Sequence, residues 1–210
     1  MKKLLFAIFI IASTNTFAFG ILDAFKALPE HFTPTLNAIL KSELINSYIN
    51  GNDSIENAYF GISKITLLDT ENELIKIQTS KVGQIELKIF TPTPNDTIIA
   101  YINTVCTSNC TSIIQFFNTK WEKFAIKTLT SKDFFGNTPT QEFLLFESWD
   151  MPQFIEYTFT NKNTIKANFN TLQLLDHEQQ KQIEAFVKKS LTLNLKQQES
   201  NPQNYILKIR

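Results

Sequence analysis

The chain has 210 residues, with 20 basic and 20 acidic side chains, 43% hydrophobic residues and 19 phenylalanines. Its charges are mixed and nearly balanced, without a block of one sign, so it offers no footprint for a phosphate backbone and we expect no nucleic-acid partner. The apolar content excludes disorder over most of the chain. A chain of this length buries about 70% of its unfolded surface, in one domain or in two small ones.

The first eighteen residues have the pattern of a cleavable secretory signal peptide. Lys2 and Lys3 precede the apolar run 4–12, which has the length of a signal h-region and is far shorter than the roughly 20 residues of a membrane span. We place the cut after Ala18; an uncleaved anchor is the alternative. The mature chain would carry 18 basic and 20 acidic side chains and no later apolar stretch of spanning length. We therefore expect a periplasmic or secreted protein without a membrane span.

Two helices are predicted at the start of the mature chain. A short one over 21–28 stops near Pro29, and a longer one covers 35–50, with Pro34 at its start and Gly51 just past its end, as is typical of helix boundaries. Apolar residues at helical spacing form one stripe of the longer helix, namely Leu36, Ile39, Leu40, Leu44 and Tyr48. The stretch 51–61 is polar and indicates turns.

The apolar period then changes from 3.6 to 2, which predicts strands over 65–68, 74–79, 84–90, 97–105 and 112–118. In the third strand Ile85, Leu87 and Ile89 alternate with Glu86 and Lys88, which predicts one face in a core and the other in water. Two consecutive isoleucines at 98–99 and again at 113–114 predict central strands with both faces covered. The connections are too short for crossover helices, so we expect an antiparallel meander.

The second half of the chain is predicted to be rich in strands, with one helix. A loop with a helical turn over 132–139 leads to further strands over 142–147, 154–160, 164–169, 191–195 and 205–209. Asp176, with Gln179 at the capping-box position, begins a helix that ends at Lys188 and Lys189. A polar loop covers 197–203.

The order of elements predicts an α+β fold in which antiparallel meander sheets pack against a few helices. We divide the chain into a signal peptide (1–18), an N-terminal helix-plus-sheet unit (19–125) and a C-terminal strand–helix–strand unit (126–210). The division into two sheet-and-helix units or one domain is left open.

Cys106 and Cys110 flank three residues between two predicted strands, so the pair would lie across a tight hairpin. In an oxidising compartment such a pair is predicted to form a disulfide. A redox centre more usually shows Cys-x-x-Cys at a helix start, and a zinc site would need two more ligands. Closing so short a loop stabilises the fold by less than the roughly 3 kcal/mol of a 15-residue loop.

Motifs of enzymatic chemistry are scarce. His31 and His177 stand far apart and outside any recognisable constellation, and we interpret both as surface residues. The five glycines are too scattered to form a phosphate-binding loop, and there is no Gly-x-Ser-x-Gly elbow;. We therefore expect no catalytic residues, no cofactor and no metal.

Carboxylates are the remaining candidates for chemistry. Asp69, Glu71 and Glu73 lie between two predicted strands, where a solvated turn is favoured over a calcium site. The acidic residues of 147–150, near aromatic side chains, suggest the cleft of a glycosidase, but structural spacing explains them as well.

Two tryptophans are the candidate aromatic binding surface. Trp121 and Trp149, with Phe116, Phe117 and Phe146, would form a platform on which a sugar stacks;. Packing in a core is the commoner reason for aromatic residues at strand spacing.

The stretch 101–121 resembles a segment of an uncharacterised family of secreted Bacteroidetes proteins. Its Ser112, Ile114, Phe116, Phe117 and Trp121 match a serine, an apolar-x-Phe-aromatic strand and a tryptophan of that family. The first long helix, the run 85–89 and the unit 174–195 are similar to the family too. The resemblance implies packing motifs and supplies no catalytic residue. Cysteines stand where the family more often has small or turn residues, so the disulfide has no support from it.

We therefore expect an exported, non-catalytic protein that binds another envelope or extracellular protein through a sheet face or an edge strand. An alternative is a periplasmic carrier or sensor of a small apolar or sugar ligand, bound between helix and sheet. A carboxylate-based hydrolase is a more distant alternative. An exposed aromatic patch would favour the protein partner, and a pocket with convergent polar groups would favour the ligand.

Overall fold

The helices occupy the positions that local capping chemistry gives them. A computed structural model describes residues 19–93, 96–136, 140–160, 164–198 and 201–210, so the predicted signal peptide lies outside the described residues. The α-helices are α1 (Ile21–Ala27), α2 (Ala38–Ile49), α3 (Ser131–Phe134), α4 (Gln141–Ser148) and α5 (His177–Ile183). Two 3₁₀ turns, Glu30–Phe32 and Asn170–Leu174, accompany them.

Side-chain caps begin three of these helices. Asn37 accepts the backbone N–H of Leu40 at 2.9 Å and so begins α2;. Thr140 does the same for α4. Asp176 and Gln179 form the predicted capping box of α5;. Lys41 of α2 is buried and donates from Nζ to the carbonyl of Leu28, which ties α2 to the end of α1.

The first sheet is an antiparallel meander of six strands in chain order, as predicted. Its strands are β1 (Ser54–Glu56), β2 (Ile62–Asp69), β3 (Leu74–Gln78), β4 (Gly83–Thr93), β5 (Asp96–Cys106) and β6 (Cys110–Phe117). β5 lies inside the sheet, and its neighbouring residues Ile98 and Ile99 are both buried, so both faces of the strand are covered. β6 was expected to be central too but is an edge strand, and Ile113 on it is 64% exposed.

The second sheet has four antiparallel strands, again ordered as a meander. Its strands are β7 (Ile155–Phe159), β8 (Thr164–Phe169), β9 (Ser190–Gln198) and β10 (Asn201–Ile209). The predicted α+β class with antiparallel sheets in two units is therefore confirmed.

Two hydrophobic clusters cover the two faces of the first sheet. On one face α1 and α2 pack on the odd-numbered residues of β4, including Ile85, Leu87 and Ile89. On the other face the second sheet, α4 and α5 pack against residues such as Ile102 and Phe116. The first sheet is therefore the middle layer of the described structure, between helices and the second sheet.

This layering corrects the expectation that Glu86 and Lys88 face water. Both are buried, at 1% and 0% exposure, because the second sheet covers that face of β4. The carboxylate of Glu86 lies 3.0 Å from Lys76 Nζ on the neighbouring strand, and Thr158 of β7 donates to Glu86 at 2.9 Å. Lys88 donates to the carbonyl of Asn72 at 2.7 Å, and burial lowers the pKa of Lys88;.

Two further predictions of elements were wrong. The predicted strand 142–147 is the helix α4, in which Phe143 and Phe146, three residues apart, are buried on the same face;. The helix predicted from Asp176 to Lys189 ends at Ile183. The backbone of residues 188–189 does not extend a helix but bonds to Phe134 and Phe169.

Two polar stretches that were predicted as loops contain strand residues. β1 lies inside the predicted turn region 51–61, and β9 and β10 extend into the predicted loop 197–203, of which residues 199–200 lie outside the described residues. The predicted loop over 132–139 contains a helical turn, as expected, since it begins within α3; residues 137–139 lie outside the described part.

Candidate functional site: an aromatic turn held by Asn57

The turn between β1 and β2, residues 57–61, presents adjacent aromatic side chains to solvent; we call it the aromatic turn. Tyr59 is 68% exposed and Phe60 is 90% exposed, and Ile62, the first residue of β2, is 60% exposed. Leaving a large apolar side chain in water forfeits about 1.5–3 kcal/mol of burial. Single exposed side chains are ordinary, whereas three within four residues form an exposed apolar patch of the kind that interaction surfaces have.

The buried side chain of Asn57 holds the turn in this shape. Its Oδ1 accepts the backbone N–H groups of Tyr59 at 3.0 Å and of Gly61 at 3.1 Å. Its Nδ2 donates to Ser63 Oγ at 3.1 Å and to the carbonyl of Thr79 at 3.2 Å. The amide therefore bonds to the backbone N–H groups inside the turn and attaches the turn to the first sheet. This restricts the positions available to the aromatic rings.

Phe60 has a backbone conformation that a phenylalanine rarely adopts. Its φ is +59°, in the left-handed region, which costs an L-residue roughly 1–2 kcal/mol. Its ring has little contact with the rest of the protein to repay this cost, since it is 90% exposed. An unfavourable conformation that surrounding hydrogen bonds maintain is typical of functional positions.

Gly61 lets the turn close on Asn57. A Cβ at position 61 would lie 3.3 Å from Asn57 Nδ2 and 3.5 Å from its Oδ1, so a side chain there would press on the amide. The backbone N–H of Ala58 also bonds to the carbonyl of Thr35 at 3.1 Å, ahead of α2. Residues 57–63 contain no charged side chain. The aromatic turn is therefore a rigid, neutral, apolar projection.

The two tryptophans proposed as a binding surface lie in different places. Trp121 packs against Phe32 and Phe117, in the cluster beneath α1 and α2. Trp149 packs against Phe146, in the cluster between the two sheets. Both are half-buried. The structure does not bring Trp121 and Trp149 together into one platform.

Cys106 and Cys110 lie directly opposite each other at the end of the β5–β6 ladder, with their Cα atoms 4.0 Å apart. Their sulfur atoms are at disulfide distance, 1.98 Å, in agreement with the predicted bridge. Both residues are half-buried.

The acidic turn between β2 and β3 has structural partners. Asp69 accepts the backbone N–H and the side-chain amide of Asn72, and these bonds lower the pKa of its carboxyl;. Glu73 Oε2 accepts the backbone N–H of Ile21 at 2.7 Å, at the start of α1. Glu71 is exposed, and its backbone N–H also helps to lower the pKa of the Asp69 carboxyl. Asp69 and Glu73 therefore have separate partners within the protein.

The other residues considered for chemistry lie on the surface. His31 and His177 are exposed, as are Glu147 and Asp150 at the end of α4. Glu156, in contrast, is half-buried on β7 and lines a cavity of about 480 Å³ between α5 and the second sheet. Polar side chains of the cavity wall include Asn168, Asn170, Gln180 and Lys189.

The aromatic turn was not predicted from the sequence, because residues 51–61 were interpreted only as a polar, turn-rich stretch. The available signal was a pair of adjacent aromatic residues next to a glycine, Tyr59-Phe60-Gly61, in an otherwise polar stretch. Aromatic pairs are rare in turns and usually occur there because the rings pack on the protein. Packing does not explain this pair, because both rings are exposed.

A family profile and a solved structure resemble this chain. Residues 13–199 match the profile of a family described as protein of unknown function (DUF3256). The solved structure of a domain of an uncharacterized protein from Porphyromonas gingivalis W83 superimposes with a TM-score of 0.69 and 19% identity, over 91% of this chain and 99% of that chain. This likeness shows a shared fold. No curated protein sequence matches significantly.

Proposed function

Since the chain belongs to the DUF3256 family of proteins of unknown function, we propose its function from its own surface: it is an exported, non-catalytic protein that binds another protein of the cell envelope or exterior through the aromatic turn. The observation that carries this proposal is the conformation of Phe60, whose backbone lies in the left-handed region and whose ring is 90% exposed. The partner would supply an apolar pocket for this ring.

The geometry of the turn has the properties of a binding anchor. Aromatic side chains dominate the energy of protein interfaces when a partner pocket removes them from water. Asn57 fixes the backbone on both sides of Phe60, so little conformational entropy would be lost on binding. Tyr59 and Ile62 extend the apolar surface around the central ring.

A protein partner is favoured over a lipid surface. Segments that lie in a membrane interface usually combine apolar residues with lysine or arginine, which attract anionic headgroups. Residues 57–63 carry no charge, and the nearest basic residue in sequence, Lys64, is 3.3 Å from Asp53 in an ion pair. Binding to vesicles is therefore an outcome that would contradict the proposal.

Two observations support export, and one supports a non-catalytic role. The signal-like segment and the cysteine pair at disulfide distance both fit a compartment outside the cytoplasm;. No helix in the described ranges is long and apolar enough to cross a membrane. The buried ionisable side chains, including Lys41, Glu86 and Lys88, bond to structural partners, which is what a scaffold requires.

Photo-crosslinking in cells that produce the full chain tests the proposal. A photoreactive phenylalanine analogue at position 60 is compared with the same analogue at position 186, because Phe186 is also exposed, at 48%, but belongs to the second unit. We expect a discrete adduct with another protein from position 60 alone. Equal labelling from both positions, an adduct of two copies of this chain, or crosslinks to lipid would each contradict it.

The cavity beside α5 favours the second candidate function, a carrier or sensor of a small ligand. Its volume of about 480 Å³ lies in the range of small-molecule sites;. Asn168, Asn170 and Gln180 offer amide groups to it, and Phe169 and Ile183 supply apolar walls. This mixture suits a neutral saccharide better than a wholly apolar ligand.

Calorimetric titration with a panel of neutral mono- and disaccharides tests this second candidate. We expect one member to bind and Asn168→Ala to weaken its binding at least about fivefold, through the loss of one hydrogen bond. Phe186→Ala, outside the cavity wall, is the matched control and should leave the affinity unchanged. Absence of heat with every saccharide would exclude this class of ligand.

A further inference from the structure

A second cluster of side chains brings sulfur and carboxylate ligands together where the two units meet. The Sγ atoms of Cys106 and Cys110 and one carboxylate oxygen of Glu156 all lie within 4.8 Å of one another. The cysteines come from the β5–β6 hairpin and the glutamate comes from β7. All three are half-buried.

The carboxylate of Glu156 is held in place from one side. Its Oε2 accepts the side-chain amides of Asn168 and Asn170, each at 3.2 Å. Asn170 also donates to the carbonyl of Cys110 at 2.9 Å, so the same amide group orients the glutamate and the cysteine backbone. Carboxylate ligands of metals are commonly held by outer hydrogen bonds of this kind.

The disulfide adds no donor to the two amides that bond to Glu156, because its sulfur atoms carry no proton. Glu156 also takes part in none of the ion pairs among the described residues. A half-buried carboxylate without a counter-charge is stabilised further by a cation beside it.

We propose that the reduced form of this cluster binds a thiophilic divalent cation, with Zn²⁺ as the model case. A dithiol reductant gives two electrons and two protons to the Cys106–Cys110 bond and becomes a cyclic disulfide. Zn²⁺ then displaces the two thiol protons and is bound by two thiolates, by Glu156 and by one water. This inference concerns only the reduced protein; it goes beyond the proposed function, which concerns the oxidised protein, and does not depend on it.

The three groups reach the spacing of such a site only after reduction, since the sulfur atoms are 1.98 Å apart in the bridge. Ligand atoms of a tetrahedral zinc with Zn–S bonds of about 2.3 Å and Zn–O bonds of about 2.1 Å lie roughly 3.5–3.8 Å apart. Side chains directly opposite each other on antiparallel strands project from the same face, so both thiolates remain on one side after the bond opens;. Rotation about the Cα–Cβ bonds then separates the sulfurs.

The hairpin does not need the disulfide to keep its backbone in register. β5 and β6 pair continuously from Ile99–Phe117 to Cys106–Cys110, and the backbone N–H of Cys106 bonds to the carbonyl of Val82 at 2.8 Å. The loop that the disulfide closes has three residues, and such loops gain little from a crosslink. The reduced chain is therefore expected to keep the site assembled.

Cobalt titration of the purified mature chain tests this inference. The protein is reduced with a dithiol, desalted without oxygen and titrated with Co²⁺, whose thiolate complexes absorb in the near ultraviolet. We expect one equivalent to bind, the oxidised protein to give no such band, and Zn²⁺ to displace the cobalt. Circular dichroism of the reduced protein checks that it stays folded; unfolding on reduction would contradict the proposal, as would the absence of the band.

Variants separate the ligand from its surroundings. Cys106→Ser should abolish the thiolate band of a two-sulfur site, and Glu156→Gln should weaken binding by more than about tenfold while the band remains. Glu184→Gln is the matched control, because Glu184 lines the neighbouring cavity but is not part of the cluster. If Glu156→Gln binds cobalt as tightly as the unaltered chain, the cysteines act without the carboxylate and the inference fails.

Discussion

The carboxylate of Glu86, on β4 of the first sheet, accepts the backbone N–H of Phe159, on β7 of the second sheet, at 2.9 Å. β7 is an edge strand, and edge strands expose backbone groups that other chains can pair with. Ser112 of β6 accepts the N–H of Tyr157 in the same way, at 3.1 Å. Side chains of one sheet therefore close the edge of the other.

This arrangement predicts a strong dependence of stability on Glu86. Its replacement by alanine leaves the N–H of Phe159 without its acceptor and takes the counter-charge from Lys76, which keeps only neutral acceptors on β7. Loss of one member of a buried pair costs about 3–5 kcal/mol. Urea unfolding of Glu86→Ala, of Lys76→Met and of the double variant measures the coupling. We expect the double variant to lose clearly less than the sum of the single changes; simple additivity would show that the two charges act independently.

Tyr157 predicts a loss of stability in alkaline solution. Its ring is buried between the sheets, and burial raises the pKa of its hydroxyl to about 12, from the ordinary value of about 10. The stabilising contribution is complete below pH 10. Between pH 10 and 12 the unfolded chain releases the proton while the folded chain keeps it, so the free energy of unfolding falls as the pH rises.

Urea unfolding at a series of pH values measures this slope. Tyr157→Phe should make the decline between pH 10 and 12 shallower, because the variant has no proton to lose there. Tyr59→Phe is the matched control, since Tyr59 is exposed, and should leave the slope unchanged. An equal slope in Tyr157→Phe and the unaltered chain would show that this hydroxyl ionises alike in both states.

The bridge between Cys106 and Cys110 is predicted to contribute little to stability. A loop of this length yields only about 2 kcal/mol in the chain-entropy model. We expect the double variant Cys106→Ala, Cys110→Ala to fold and to unfold at a urea concentration no more than about 1 M below that of the oxidised chain. Failure of the variant to fold would contradict this and would also remove the basis for a reduced metal-binding form.

Asn57 is predicted to control the order of the aromatic turn. Asn57→Ala removes the acceptor for the N–H groups of Tyr59 and Gly61, and unpaired groups of this kind cost about 1–3 kcal/mol. Hydrogen exchange at these two amides should accelerate. Asn52→Ala, a nearby exposed asparagine, serves as control, and unchanged protection in Asn57→Ala would show that the side chain does not hold the turn.

Periodicity and capping predicted most of the fold. The capping box at Asp176 and the meander of the first sheet follow from residues close together in sequence. The predicted stripe of α2 is only partly correct, because Leu44 is buried as expected whereas Ile39 is 75% exposed. α4 was missed because its short apolar run fits strand and helix alike, and only the cap at Thr140 and the burial of Phe143 and Phe146 decide between them;.

The errors at long range have a different origin. The alternation in β4 predicts that its two faces differ in polarity. It does not show whether the polar face meets water or a second sheet, so the burial of Glu86 under β7 was not foreseen. The aromatic turn depends on contacts of Asn57 with Ser63 and with Thr79, which is 22 residues away. No local pattern contains that contact.

We propose that Phe60 keeps an unfavourable backbone conformation because a partner uses its ring. Asparagine tolerates a positive φ much better than phenylalanine, and the ring makes little contact to lose, since it is 90% exposed. Phe60→Asn is therefore expected to raise the free energy of unfolding by about 1 kcal/mol.

The most direct measurement places a photoreactive phenylalanine analogue at position 59 and compares crosslinking of the chain that keeps Phe60 with crosslinking of the Phe60→Asn variant. We predict a discrete protein adduct from the chain with Phe60 and its loss in the variant, although the variant is at least as stable in urea. The same adduct at the same yield from both chains would contradict the account.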